Sequence, residues 1–362
     1  MIYFTPGPSE LYMTIKKHIQ EALSSDICSI SHRSELYKSI HENCTQNLKK
    51  LFELPDDYHI FFLGSATEAM ERIIENCVDQ KSFHFINGAF SRRFFQIAQS
   101  LKKRAQYIEA EFGESFNLKD SKIPDDIELI CITQNETSTG VRINPDHIHE
   151  LKKRYPQKLL AVDIVSSAPY EKLDYSLIDC AFFSVQKCFG LPAGLGVLMV
   201  NDPCIHKAST LLKTNKNIGS YHNFVEFLSR SLKNQTPETP NVLDIYLLGR
   251  VCEDILSFGI SRVRQETREK ANLLYDFFDN HNILKTFIEN TEDRSCTVIV
   301  ANTGIEAKLV INKLASEGFM VGSGYGAHKN HQIRVANFPA HQKKDIISII
   351  NLMNEMDYLY QS

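Results

Sequence analysis

Residues 180–190 read CAFFSVQKCFG. The run from Cys180 to Val185 is almost unbroken in its apolar character, which fits a strand buried on both faces. Such strands belong to parallel sheets covered by helices. Directly after it stand Gln186 and Lys187, then Cys188, Phe189 and Gly190. A lysine at a strand end is ordinarily solvated. The alternative is a desolvated amine, able to form a Schiff base with a carbonyl compound. The rest of the chain decides between the two.

Working outward, similar apolar runs lie at 59–64, 83–88, 105–110, 128–135, 159–166 and 196–201. With 180–185 they make seven candidate strands. Segments with helical spacing separate several of them, at 67–77, 90–103 and 145–155. Strand and helix in alternation predict an α/β fold with a mostly parallel seven-stranded sheet. Beyond about residue 245 the pattern changes. A long helical stretch over 243–281, broken near Gly259, leads to CTVIVAN (296–302), a helical segment (305–317), the turn GSGYGAH and IRVANF (333–338). That predicts a smaller α+β domain. The stretch 213–242 is polar and turn-rich and predicts a surface excursion, and long loops of this kind are often functional.

Composition narrows the function classes. The chain has 362 residues, 43% hydrophobic and 23% charged, an ordinary globular composition. A net charge of −4 offers no basic excess for nucleic acid. No apolar run approaches the roughly 18 residues that span a bilayer, and MIYFTPGPSELYM has no signal-peptide pattern. Nine cysteines, scattered without a CxxC pair, suggest reduced thiols in the cytoplasm and buried small hydrophobes rather than metal ligands.

In an open parallel sheet, ligands bind beyond the carboxyl ends of the strands. The predicted strand ends carry a distinctive set. Ser65, Ala66 and Thr67 begin a helix, where free N–H groups and the dipole suit a phosphate. Phe90 follows the second strand and offers an aromatic face. Thr137 follows the fourth. Asp163 lies in an otherwise apolar strand, so its carboxylate needs a cationic or hydrogen-bonding partner, and a pyridinium nitrogen is one. Ser166 follows it, and Gln186 and Lys187 end the next strand. Phosphate cradle, ring stacker, hydroxyl, buried aspartate and lysine describe a pocket for pyridoxal 5′-phosphate. Taken together they favour the desolvated amine at Lys187.

The chain resembles the class V aminotransferases of fold type I, and among them most the phosphoserine aminotransferases. The resemblance rests on YFTPGPS, ISHRS (30–34), NETSTG (135–140), VDIVSS (162–167), SVQKCFG (184–190), TPETPN (236–241) and IRVANFPAH (333–341). It implies a large cofactor-binding domain over 14–245 and a small domain over 246–362 joined by 1–13. It implies Lys187 as the Schiff-base lysine, which later shuttles a proton, and Asp163 as the partner of the ring nitrogen. It also implies Thr137 on the ring hydroxyl, Gln186 and the 65–67 turn on the phosphate, and Thr239 as a phosphate contact lent by a second subunit of a homodimer. His32, Arg33 and Arg334 are implied as substrate ligands, with Arg334 on the α-carboxylate, and His328 or Lys329 as further anion ligands. A solvated turn is an equal reading for Lys329 and His331. The implied reaction passes an amino group between L-glutamate and 3-phosphohydroxypyruvate in serine biosynthesis.

Two departures stand out. Many relatives carry a Gly-rich, arginine-containing cofactor loop where this chain reads GSATEAM, and many stack a tryptophan where Phe90 falls; this chain has none. Both leave other class V activities open, such as serine– or alanine–glyoxylate transamination. A cysteine desulfurase fits less well, since Gln186 and Phe90 replace the histidines expected there. A non-catalytic binding module would be expected to lack Lys187 or Asp163.

Overall fold

The structure is a computed structural model and describes residues 1–356; the end of the expected small domain, 357–362, lies outside the described residues. In chain order its strands are β1 (Ile2–Phe4), β2 (Tyr58–Leu63), β3 (Lys81–Ile86), β4 (Arg104–Glu109), β5 (Leu129–Thr133), β6 (Asn135–Glu136) and β7 (Val141–Arg142). They continue with β8 (Leu159–Asp163), β9 (Cys180–Ser184), β10 (Gly196–Asn201), β11 (Lys285–Thr286), β12 (Val298–Asn302), β13 (Phe319–Ser323) and β14 (Gln332–Ala336).

Seven of them form one sheet in the order β2-β10-β9-β8-β5-β3-β4. All pairs are parallel except those of β10, which runs antiparallel to both β2 and β9. The side-chain period of two feeds two cores. Ala181 and Phe183 of β9 join one apolar cluster, Cys180 and Phe182 the other, on the opposite face. This is why the sequence reads as continuous apolar runs rather than alternating ones.

A second sheet, in the order β1-β13-β14-β12-β11, brings the first residues of the chain beside the C-terminal strands. Ile333 and Val335 of β14 face a cluster with Phe4, Leu274 and Phe278. Ala336, on the opposite face, packs with Val298, Val300 and Cys188. That contact docks the small sheet directly beside Lys187.

The break at Gly259 falls between helices Val242–Phe258 and Ile260–Asn280. The surface excursion over 213–242 needs a correction, since it holds the helix Phe224–Ser231. Phe224 and Phe227 are buried there, their rings 6.1 and 5.1 Å from that of Phe61 on β2. All nine cysteines are free, but the expectation that all are buried needs a correction: seven are buried, Cys296 is half-buried and Cys28 is exposed. Among the described residues no helix is long and apolar enough to cross a membrane, and no group of His, Cys, Asp or Glu is placed to hold a metal ion.

Candidate active site

Lys187 is 6% exposed, which settles the question of its solvation. Its Nζ donates to Thr137 Oγ1 at 2.9 Å and stands 5.0 Å from the centre of the Phe90 ring. Desolvation pushes its pKa below the usual lysine range, against the opposing pull of the Asp163 carboxylate. The chain closes over it from the N-terminus. A Cβ at Gly7 would lie 2.9 Å from Lys187 Cε and would push that side chain aside, and the Gly7 φ of +137° is a backbone conformation that favours glycine.

Asp163 ends β8 and is buried. Desolvation raises its carboxyl well above the ordinary range, while the N–H of Val165, 2.9 Å from Oδ1, works against that rise. Its strand lies next to β9, which carries Lys187 just beyond its end.

The third element is the start of helix Ala66–Cys77. Ser65 caps it by accepting from Glu68 N at 3.1 Å, and Ser184 Oγ at the end of β9 accepts from Ala66 N at 3.0 Å. A Cβ at Gly196 would come within 2.5 Å of the Ser65 carbonyl carbon, so glycine lets this turn settle onto β10.

Arg334 arrives from the small sheet. Its Nε donates to Ser323 O at 2.7 Å, Nη1 donates to Thr137 O at 3.2 Å, and its guanidinium lies 5.4 Å from the Tyr325 ring centre. Among the described residues no carboxylate forms an ion pair with it. Burial lowers its pKa. A half-buried guanidinium without a paired carboxylate has donor capacity free for an anion.

These groups meet around one cavity of about 300 Å³. Ser65, Ala66, Thr67, Phe90, Thr137, Asp163, Gln186, Lys187 and Arg334 all line it. Pro6, Gly7, Met70, Val165, Ser184 and Tyr325 line it too, none of them among the residues expected from the sequence. The signal for Pro6 and Gly7 was present in the opening TPGPS, and nothing local marked Tyr325.

Other expected site residues lie elsewhere. Ser166 is behind the cavity, its Oγ donating to Asn135 O and accepting from Asn135 Nδ2, each at 2.8 Å. Arg33 donates to Gln235 Oε1, Thr236 O and Pro237 O at 2.7, 3.0 and 3.3 Å. His32 Nδ1 is 3.5 Å from Thr239 Oγ1, so His32, Arg33 and Thr239 form one cluster outside the lining. His328 stacks on Phe112 with ring centres 4.3 Å apart. Lys329 and His331 belong to the turn beside it and do not line the cavity.

A buried low-pKa amine, a buried carboxylate on the next strand, an aromatic face and a helix N-terminus fit pyridoxal phosphate in kind and in number. Fold and site together define a pyridoxal-phosphate-dependent transaminase. The model of the class-V aminotransferase family matches residues 4–337, and the chain belongs to that family. It is similar to the solved phosphoserine aminotransferase of Cytophaga hutchinsonii, with 45% identity, a TM-score of 0.96 and 98% of each chain covered. The phosphoserine aminotransferase of Lactococcus lactis subsp. lactis (strain IL1403) is 25% identical, with both chains covered in full. The ureidoglycine–glyoxylate aminotransferase of Bacillus subtilis shares the fold, with a TM-score of 0.83 at 19% identity over 99% of this chain and 93% of that one.

Proposed function

We propose that this transaminase exchanges an amino group between L-glutamate and 3-phosphohydroxypyruvate, yielding O-phospho-L-serine and 2-oxoglutarate. The observation that carries the choice of substrate is the 45% identity to a phosphoserine aminotransferase over 98% of both chains. A coupled assay with glutamate and 3-phosphohydroxypyruvate, run beside alanine and glyoxylate, tests it. Faster turnover of the second pair would replace this reading with a glyoxylate-type activity.

When bound, pyridoxal phosphate supplies an electron-accepting ring that makes the α-proton of an amino acid removable. Lys187 would hold its aldehyde carbon and, once released as the free amine, take that proton on Nζ. Asp163 would face the ring nitrogen, Thr137 the ring hydroxyl and Phe90 the ring face. Ser65, Ala66, Thr67 and Gln186 would hold the phosphate. Ser166 would act from behind by fixing Asn135, two residues before Thr137.

Arg334 would bind the α-carboxylate through its planar fork, a contact worth about 1.5–3 kcal/mol. Lysine cannot reproduce that fork. Arg334→Lys should therefore raise KM by roughly one to two decades for every amino acid and oxo acid tested. A rise confined to one substrate would give Arg334 a different role.

The cluster of His32, Arg33 and Thr239 is held together yet set apart from its own chain's cavity, which supports a homodimer in which each copy completes the other's site. Inactive Lys187→Ala chains mixed with inactive Thr239→Ala chains should recover part of the activity on subunit exchange. Full activity from a sedimenting monomer would rule out the shared site. Nine free thiols suit a reducing compartment such as the cytoplasm.

A further inference from the structure

Glu136, the middle residue of the Asn135–Glu136–Thr137 stretch, has no role in the chemistry above, yet it is fully buried. Its carboxylate accepts from Phe90 N at 3.2 Å, Ser91 N at 2.9 Å, Ser91 Oγ at 3.0 Å, Ser138 N at 3.1 Å and Ser138 Oγ at 2.6 Å. Ser91 Oγ already accepts from Asn87 N and Gly88 N, at 3.0 and 3.1 Å, and Ser138 Oγ accepts from Ala89 N at 2.9 Å. Both hydroxyls can give their protons to Glu136, with Gly88 O at 3.1 Å as a competing acceptor for Ser91 Oγ. The backbone N–H groups of Phe90, Ser91 and Ser138 can be satisfied only by acceptors, so this site favours a pure acceptor. The helix Ala89–Ser100 starts here, and a Cβ at Gly88 would lie 2.4 Å from Glu136 Cγ, so the two segments touch without slack.

What they carry gives the contact its meaning. The helix turn carries Phe90, whose ring faces Lys187 Nζ. The strand segment carries Thr137, whose hydroxyl accepts from Lys187 and whose carbonyl accepts from Arg334. We infer that Glu136 is a positioning residue for the cofactor ring: its carboxylate locks the turn bearing Phe90 to the segment bearing Thr137 and so sets the slot between Phe90 and Lys187. The inference rests on the reading of Phe90 as the ring's stacking partner and holds whichever amino acid the enzyme uses.

A double-mutant cycle on cofactor-free protein tests it, with pyridoxal phosphate affinity and the circular dichroism of the bound cofactor as readouts. Glutamine places an amide NH2 against N–H donors, so Glu136→Gln releases the turn. Phe90→Ala and Glu136→Gln should each weaken binding about tenfold, and the double variant also about tenfold rather than a hundredfold. Glu136→Gln should also reshape the cofactor's dichroism. Losses that multiply in the double variant, or a lower melting temperature with unchanged affinity, overturn the inference. Unchanged affinity in Phe90→Ala would instead remove the stacking reading, and the inference with it. Should Glu136→Gln fail to fold, Ser138→Ala removes one of the five donors and enters the same cycle, with a loss of about threefold and the same non-additivity expected.

Discussion

Lys187→Ala should abolish transamination, lowering kcat by at least about a thousandfold, while the chain still folds and binds pyridoxal phosphate weakly. Positioned proton transfer alone contributes about 10²–10⁴-fold, and Lys187 would also hold the cofactor. Borohydride reduction of the wild type followed by peptide mapping should place the label on Lys187; a label on another lysine would refute the assignment. The amine should also betray its burial before any cofactor is added. Modification of Lys187 in cofactor-free protein should rise with a midpoint near pH 8, well below the ordinary lysine value of about 10.4. The folded chain binds this proton more weakly than the unfolded chain does. Relative to Lys187→Met, stability should therefore rise with pH between about 8 and 10.4 and be lost as pH falls through that window. A flat difference would mean that the amine is solvated.

Much of the cavity lining was legible because Ser65, Asp163, Gln186 and Lys187 stand at or just beyond the ends of apolar strands, where periodicity and composition both mark a boundary. Phe182 and Phe183 announce β9, and the polar Gln186–Lys187 pair after them is conspicuous. The parts that stayed illegible depend on contacts distant in sequence. Tyr325 reaches the cavity only because β13 and β14 carry the Gly-rich turn between them to Phe90, 5.9 Å from its ring centre. The strand β13 itself was missed, since FMVGS is short and runs straight into that turn. The helix Phe224–Ser231 was hidden by the polar residues around it, although Phe224, Phe227 and Leu228 have the spacing of one buried face. Glu136 looked like any polar loop residue. Its five donors come partly from Ser91, 45 positions away, and no local pattern records them.

Asp163→Asn should separate stability from chemistry, moving them in opposite directions. Burial raises the carboxyl of Asp163 to about 7 in the cofactor-free chain, so the folded state holds that proton more tightly than the unfolded one, whose pKa is about 3.9. The stabilisation this gives is complete below pH 4 and lost as pH rises through 7, leaving at pH 8 a buried charge that the Val165 N–H and the half-protonated Lys187 only partly offset. Asparagine carries no such charge. Cofactor-free Asp163→Asn should thus melt at or above the wild-type temperature at pH 8. The variant should still take pyridoxal phosphate onto Lys187, because the lysine and the phosphate turn are untouched. Turnover should nevertheless fall by about a hundredfold or more, since an amide cannot supply the negative charge that keeps a proton on the ring nitrogen, and a preorganised electrostatic contact of this kind is worth about 10²–10³ in rate. The measurement is a pair of numbers on one preparation, the melting temperature without cofactor and kcat with it. Near-normal turnover would make Asp163 a structural carboxylate, and a lowered melting temperature at pH 8 would show that its charge is already balanced before the cofactor arrives.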